Sequence, residues 1–242
     1  MKIKILLIVM VLLFIATMSI LYAFKTNDMG KDQLFDSTGI NKQRDYLISD
    51  AEFTNSNWTR KQVVSFLKSW KYNKLSRSDI DTICYAAKTN KIHPIIILTK
   101  MEQEQSMVRN MCPNAKSLYN KRHRRAMAYG LSIKKYIKGK KYYPHEGYYK
   151  QVTRGTKCLR KFFDLYKKGI THPINYGKNK AYPKNAATYS LYVYCPFYGL
   201  YDNHGVKCRG NVLFITLYKQ FKERWNLLNP HSTQDNTLYT KQ

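Results

Sequence analysis

Residues 94–108 read PIIILTKMEQEQSMV, and this stretch decides the expected fold class. Pro94 follows His93, and proline is favoured at the first position of a helix because the N–H that it lacks would have no partner there. The apolar residues that follow extend over several helical turns. We therefore predict a long apolar helix from Pro94 to about Val108.

Two carboxylates, Glu102 and Glu104, lie near the end of this predicted helix. At about 100° per residue, Ile97, Met101 and Glu104 share one face, whereas Glu102 points about 140° away from Ile97. A carboxyl group beside apolar side chains is more readily protonated, as a general acid at neutral pH must be. Glu104 is therefore the candidate acid, and Glu102 is expected to matter little. The alternative is that Glu104 is a carboxylate at the rim of the core, paired with one of the many cations.

Other helices are predicted on both sides of this one. Thr59 with Gln62 forms a capping box that begins one helix, and Ser78 or Asp79 begins the next. A further helix is ended by Gly169. The apolar side chains that mark the last helix are Leu213, Phe214, Leu217, Phe221, Trp225 and Leu228.

The segments between these helices have no strong periodic pattern. Residues 136–149 and 176–210 are rich in Tyr, Lys and Gly, and we expect both to be loops. Strand patterns are few and no internal repeat separates one part from another. The sequence therefore predicts a single, mainly α domain over residues 36–228.

The N-terminus predicts export. Lys2 and Lys4 precede an apolar run over residues 5–24, which as a helix is long enough to span a bilayer. Leu21 stands where a cleavage site needs a small residue, so a signal anchor over residues 1–24 is favoured over a cleaved signal peptide. The flanking lysines then keep the N-terminus inside and place the rest outside the cytoplasm. Residues 25–35 read as a polar tether and 229–242 as a polar tail.

Composition restricts the function further. The chain has 42 Lys+Arg against 15 Asp+Glu, a formal charge of +27, which favours anionic partners such as wall polymers, anionic lipid or nucleic acid. Part of this excess is compatible with a simple coding bias towards lysine. The five cysteines are an odd number, and neither CxxC nor HExxH occurs. No metal site and no cofactor is therefore predicted.

Several segments of the chain resemble, in the same order, the segments of one enzyme family. They are Leu47–Thr54 (LISDAEFT), Thr59–Leu67 (TRKQVVSFL), Glu104–Met107 (EQSM), Ala126–Gly130 (AMAYG), the helix that carries Gln151, Tyr192–Pro196 (YVYCP) and Gly210–Phe214 (GNVLF). The family comprises the lysozyme-like glucosaminidase domains of bacterial peptidoglycan hydrolases, in the mannosyl-glycoprotein endo-β-N-acetylglucosaminidase-like group. The resemblance covers roughly residues 36–228.

The resemblance implies a lysozyme-like helical fold and a glycoside hydrolase of the endo-β-N-acetylglucosaminidase or muramidase type. It implies that Glu104 is the general acid that protonates the glycosidic oxygen of a β-1,4 bond in peptidoglycan. The matched segments imply substrate contacts by Gln105, Tyr129, Gly130, Gln151, Tyr192 and Tyr194. No cofactor is implied.

Two departures from the family pattern are visible. Ala128 replaces a glycine that the family often has, so the turn at 126–130 is expected to be less tight or less able to admit a sugar. Cys195 stands where the family commonly has threonine or another small residue. This departure suggests a disulfide from Cys195 to Cys208, across a loop of 12 residues.

The partner of Glu104 is left open by the sequence. Glycosidases generally use two carboxylates, and Glu146, in the Tyr-rich loop 142–149, is a candidate second carboxylate. The alternative for Glu146 is an exposed loop acid among lysines. Substrate assistance or internal transglycosylation would need Glu104 alone.

Two other functions have to be weighed against hydrolysis. One is a non-catalytic domain on the same fold that binds the wall or another polyanion. The other is a nucleic-acid-binding protein, which the charge would suit. The absence of a reader motif and the predicted export argue against nucleic acid.

Overall fold

The computed structural model describes residues 44–109, 116–133, 135–137, 140–176, 179–196 and 210–230. Within these ranges the fold is mainly α, with eight helices and two short hairpins. The helices are α1 (Asp50–Thr54), α2 (Arg60–Lys68), α3 (Arg77–Asn90), α4 (Pro94–Gln105), α5 (Lys116–Arg124), α6 (Tyr148–Lys167), α7 (Ala186–Tyr194) and α8 (Gly210–Leu228). The strands are β1 (Lys135–Ile137) with β2 (Lys140–Tyr142), and β3 (Ile174–Tyr176) with β4 (Asn179–Ala181), each pair antiparallel.

Capping boxes begin the first three helices. The box of Thr59 and Gln62 at the start of α2 confirms the prediction made for it. The predicted start of the next helix at Ser78 or Asp79 is slightly late, because Ser76 is the cap. Its hydroxyl accepts from the backbone N–H of Asp79, and the Asp79 carboxylate accepts from the N–H of Ser76. The helix therefore begins at Arg77.

Helix α4 is the centre of the core, and it begins at Pro94 as predicted. All nine residues from Pro94 to Glu102 are buried, because α4 lies against α3 and α8. The predicted end near Val108 is wrong: the helix stops at Gln105, and Ser106 adopts the left-handed conformation with φ of 52°. The chain therefore reverses direction three residues earlier than the apolar pattern indicated.

Helix α7 lies inside the segment 176–210 that we expected to be a loop. Asn185 caps it by accepting from the N–H of Thr188. Its sequence, AATYSLYVY, is rich in β-branched and aromatic residues, which are weak helix formers. Seven of its nine residues are buried, and it packs along α6, so tertiary burial overrides its weak propensity. The expected loop 136–149 likewise contains strand residues of the first hairpin.

Aromatic contacts join several of the helices in the interior. Phe66 contacts Trp70, Phe221 and Trp225 with ring centroids 5.2–6.1 Å apart, and so joins α2 to α8. Phe53 stacks on Phe163 at 5.2 Å, which fixes α1 against α6. Neither cluster includes a residue of the C-terminal turn of α4.

The predicted anchor at 1–24, the tether at 25–35 and all of the predicted tail after Pro230 lie outside the described residues. No helix within the described residues combines the length and the apolar character that a membrane span requires.

Candidate functional site

Glu104 occupies the last turn of α4 and is the centre of the site. Its side chain is 22% exposed, and its Oε1 lies 2.9 Å from Nζ of Lys100, one helical turn earlier. The Lys100 ammonium also donates to Oε1 of Gln103 at 2.7 Å. Glu104 is thus a partly accessible carboxylate in a fixed position.

Lys100 is the residue that sequence reasoning missed. Its side chain is fully buried, and a buried ammonium is costly unless it is paired and hydrogen-bonded. Besides Glu104 and Gln103, it lies 4.7 Å from the centroid of the Tyr194 ring and 6.0 Å from that of Phe214. The available signal was a lysine inside an apolar helical run, spaced i, i+4 from a glutamate.

Glu102 has the opposite environment to the one predicted. Its side chain is only 1% exposed. The carboxylate accepts from the backbone N–H groups of Val108 at 2.9 Å and Arg109 at 3.1 Å, and from Nε of Arg109 at 2.7 Å. Glu102 therefore anchors the chain that reverses after α4.

The prediction that Glu102 faces a polar side and Glu104 an apolar one is wrong for two physical reasons. Up to Glu102, α4 is buried on all sides, so it has no polar face there. The left-handed Ser106 then turns the chain back over Glu102. Glu104, two residues later, reaches the edge of the core. The pairing of Glu104 with Lys100 matches the alternative interpretation of Glu104, namely a carboxylate at the rim of the core that is paired with a cation.

Tyr194, whose ring contacts Lys100, and its neighbour Tyr129 form an aromatic wall. The Tyr194 hydroxyl donates to the carbonyl of Met127 at 2.8 Å, and the Tyr129 ring lies 6.4 Å from the Tyr194 ring. Burial, reinforced by the negative charge of Glu104, raises the pKa of Tyr194 well above its usual value. Tyr194 therefore remains a neutral hydrogen-bond donor at all physiological pH values.

Gln151 holds the turn that carries Tyr129. It is fully buried; its Nε2 donates to the carbonyls of Tyr129 and His145, and its Oε1 accepts from the N–H of Tyr129. These bonds use both amide hydrogens of the side chain. The structure therefore places Gln151 as a support of the turn, whereas the resemblance implied a substrate contact.

The turn itself is strained and closely packed. Gly130 has φ of 62°, and a Cβ there would lie 2.6 Å from the His145 ring. Ala128, which replaces the family's glycine, also has a positive φ, 53°. Ala128 therefore adopts the left-handed backbone conformation that glycine favours.

The remaining implied substrate residues lie in different environments. Tyr192 is fully buried, and its hydroxyl donates to the carbonyl of Arg44, so it belongs to the core. Gln105 is half-buried and directly follows Glu104 at the end of α4. Of the implied contacts, Gln105 adjoins Glu104 in sequence, Tyr194 contacts Lys100, and Tyr129 contacts Tyr194.

Glu146 is an ion-paired carboxylate on the loop after β2. Its Oε1 lies 2.9 Å from Nε of Arg125 and 3.9 Å from Nε of Arg124. It directly follows His145, whose ring contacts Tyr129 at 5.1 Å. Glu146 is therefore linked to the aromatic wall through its neighbour.

Two side-chain amides join the site to the start of α8. Gln103 donates to the carbonyl of Gly210 at 2.6 Å, and Asn211 donates to the carbonyl of Cys195 at 2.8 Å. Cys195 is half-buried, and it forms no disulfide with another cysteine in the part of the chain that the structure describes. Cys208 lies outside the described residues, so the disulfide between the two stays a prediction.

In the part of the chain that the structure describes, no group of three or more His, Cys, Asp or Glu side chains could hold a metal ion. What the arrangement offers chemically is a carboxylate, an ammonium and aromatic surfaces.

Comparison with known proteins adds no relative. No protein-family model matches the chain, no curated protein is significantly similar to it, and no solved structure matches its fold.

Proposed function

We propose that this protein is a peptidoglycan hydrolase with a lysozyme-like fold, in which Glu104 is the general acid. The observation that carries the proposal is the position of Glu104. It is a partly exposed carboxylate at the end of a buried helix, and it is fixed by Lys100, whose ammonium also lies 4.7 Å from the centroid of the Tyr194 ring. The resemblance of the surrounding segments to lysozyme-like glucosaminidase domains supports the same residue.

The proposed reaction cleaves a β-1,4 bond between amino sugars. Aromatic rings pack against the apolar C–H faces of pyranose rings, and Tyr129 and Tyr194 would orient the glycan in this way. Glu104 would then donate a proton to the glycosidic oxygen as the bond breaks, a contribution worth about 10²–10⁴ in rate. In the resting structure Glu104 is half of an ion pair. The acid role therefore requires the bound sugar to change the contact between Glu104 and Lys100.

Glu146 is the proposed second carboxylate. Its Oε1 lies 2.9 Å from Nε of Arg125, a charge-assisted contact that holds the carboxylate in place. Inverting glycosidases place the two carboxyl groups about 6.5–9.5 Å apart and retaining ones about 5–5.5 Å apart. Substrate assistance or internal transglycosylation, with Glu104 alone, is the alternative.

The proposal includes location and partners. The apolar segment at 1–24 would anchor the protein in the membrane, or direct its secretion if it is cleaved, and leave the domain outside the cytoplasm. The formal charge of +27 would attract the domain to anionic wall polymers.

One observation favours a second candidate, a non-catalytic domain that binds the wall or another polyanion. The ion pair between Lys100 and Glu104 is also what is expected of a carboxylate that lies at the rim of the core and has only a structural role. The large positive charge suits binding without catalysis equally well.

Zymography with the full-length chain on purified cell wall separates the two functions. A clearing zone requires bond cleavage, whereas a binding domain gives none. Mass spectrometry of the released reducing ends then identifies the bond, because N-acetylglucosamine ends indicate a glucosaminidase and N-acetylmuramic acid ends a muramidase. The absence of both clearing and new reducing ends would contradict the proposed hydrolase.

A further inference from the structure

A second concave surface lies away from Glu104, between the loop that joins α1 to α2 and the C-terminal half of α3. Its cavity has a volume of about 440 Å³ and reaches Ile92, just before α4. This volume is within the range of about 300–1,000 Å³ that is common for small-molecule sites. Glu104 is ten residues beyond Pro94, or about 15 Å along α4 at 1.5 Å per residue. The cavity is therefore separate from the site around Glu104.

Aromatic and apolar groups form one side of this cavity. Trp58 is half-buried, and Tyr85 is 54% exposed. The Tyr85 ring is stacked against Tyr149, at 6.5 Å and an interplanar angle of 21°, which holds it in place. Ala87 and Ile92 contribute further apolar surface. An exposed aromatic face over an apolar floor suits the C–H face of a sugar ring.

Cations form the other side. Arg60, Lys88 and Lys91 line the cavity, and none of its lining residues within the described chain is acidic. Arg60 is paired with Asp81 at 2.6 Å. The ammonium groups of Lys88 and Lys91 are exposed, and neither forms an ion pair with any described residue. Two unpaired ammonium groups beside an aromatic surface suit a ligand that carries an anionic group.

The cavity continues into a second groove. That groove, of about 570 Å³, shares Ser56 and Lys91 with it and extends to Arg160 and Lys167. Arg160 is paired with Asp164, and Lys167 with Asp50. The continuous groove has room for more than one sugar unit.

We infer that the cavity between Trp58, Tyr85, Lys88 and Lys91 is an accessory binding site for an anionic glycan, one whose sugar ring carries a carboxylate or a phosphate. The aromatic rings hold the sugar and the two ammonium groups hold the anionic group. The site does not depend on catalysis by Glu104. In a wall-degrading enzyme it would keep the domain on the polymer between cleavage events.

The test measures binding of two probes to the full-length chain by saturation-transfer NMR and calorimetric titration. A hyaluronan hexasaccharide supplies carboxylates and glucose 6-phosphate supplies a phosphate, with glucose as the neutral reference. We expect at least one charged probe to bind and glucose to bind more weakly. The probe that binds more tightly identifies the anionic group. Failure of both charged probes to bind would overturn the inference.

Matched variants locate the binding. The double variant Lys88→Gln/Lys91→Gln is expected to bind the charged probe about tenfold more weakly than the parent protein. The control Lys68→Gln/Lys157→Gln makes the same change in net charge on exposed lysines outside the cavity, and its affinity for the probe is expected to stay within about twofold of the parent value. Tyr85→Ala, at an exposed position, is expected to lower the affinity for the probe about fivefold. Equal effects of the two double variants would mean that general charge is responsible and would overturn the inference. Glu104→Gln is expected to bind the probe normally, so that loss of catalysis and loss of this site are distinguishable.

Discussion

At the residue scale, two glutamates two positions apart have separate tasks because the chain reverses between α4 and Val108. Glu102 is buried beneath the reversal and accepts three hydrogen bonds. Glu104 reaches the edge of the core and pairs with Lys100. The left-handed Ser106 turns the chain so that the backbone of Val108 and Arg109 binds Glu102. Glu102 is therefore a structural carboxylate, whereas Glu104 remains partly accessible.

The first prediction concerns Glu102→Gln. The amide keeps the size of the side chain but replaces one acceptor oxygen by an NH₂ group, which then faces backbone N–H groups or Arg109. We expect the free energy of unfolding to fall by roughly 2–3 kcal/mol, the value of a hydrogen bond to a charged group. Urea unfolding at pH 7 measures it.

Glu104→Gln is the control for that experiment. Its amide oxygen can still accept from Lys100, so its loss of stability is expected to be smaller. Equal stability of Glu102→Gln and the parent protein would contradict the anchoring role of Glu102.

The second prediction concerns His93, the cap of α4. Its Nδ1 accepts from the N–H of Ile95, its ring packs on Trp225, and burial lowers its pKa to about 4. In the unfolded chain the pKa is about 6.5. The unfolded state therefore binds the proton first, and the stability present above pH 6.5 is lost as the pH falls towards 4.

His93→Asn removes this titration and retains a good capping side chain. Between pH 7 and pH 4, the free energy of unfolding of the parent protein is expected to fall by about 3 kcal/mol more than that of the variant. Chemical denaturation at both pH values gives the difference. An identical pH dependence of the two proteins would show that His93 is protonated equally in the folded and unfolded states.

The sequence indicated only in part which of the two glutamates is the candidate acid. Its residue types, spacing and resemblance pointed to Glu104, and the structure places Glu104 at an accessible position. The reason given for that choice was wrong, because 100° arithmetic assumes one apolar face and an uninterrupted helix. Neither the burial of α4 on all sides nor the left-handed Ser106 can be obtained from that arithmetic.

At the element scale, the close approach of α6 to α7 and the 126–130 turn shapes the aromatic wall. Gly155 of α6 is buried, and a Cβ there would lie 2.9 Å from the Tyr194 hydroxyl and 3.0 Å from the Met127 sulfur. Glycine is therefore needed where the helix meets the side chain that contacts Lys100.

The third prediction is the effect of Gly155→Ala. Alanine gains about 1 kcal/mol of helix propensity over glycine, but its methyl group displaces the Tyr194 hydroxyl from the Met127 carbonyl. We expect little or no gain in thermal stability and about a tenfold loss of wall hydrolysis, which corresponds to about 1.4 kcal/mol. Melting curves and turbidity assays measure the two effects.

Lys157→Ala, on the exposed side of α6, is the control and should change neither stability nor hydrolysis. If Gly155→Ala stabilises the protein and leaves hydrolysis unchanged, Tyr194 does not need its present position.

The starts of two helices could be predicted from local signals, whereas the existence of α7 could not. The capping box at Thr59 and the proline at Pro94 act within a few residues, so the starts of α2 and α4 followed from the sequence. Helix α7 has a capping Asn185 but no amphipathic pattern, because it is buried on nearly all sides by residues distant in the sequence. Its existence depends on packing against α6.

At the scale of the whole molecule, charge is the dominant feature. The 42 Lys+Arg far outnumber the 15 Asp+Glu, which gives a formal net charge of +27, and several of the described acids are in ion pairs within the fold. Long-range attraction to anionic wall polymers is the expected consequence.

The fourth prediction is that binding to purified walls weakens as salt rises. The Debye length is about 10 Å at 0.1 M and about 3 Å at 1 M, so attraction between exposed charges is screened. Cosedimentation with walls over this range measures the effect. Binding that is constant with salt would mean that sugar contacts carry the affinity and that the lysines reflect composition alone.

The hydrolysis of walls by Glu104→Gln tests the central claim most directly. The substitution keeps the size of the side chain and the contact with Lys100 but removes the transferable proton. The account predicts a folded protein that still binds walls, with turnover reduced by about 10²–10⁴ in zymograms and reducing-end assays. Near-normal hydrolysis by this variant would contradict the assignment of Glu104 as the catalytic acid.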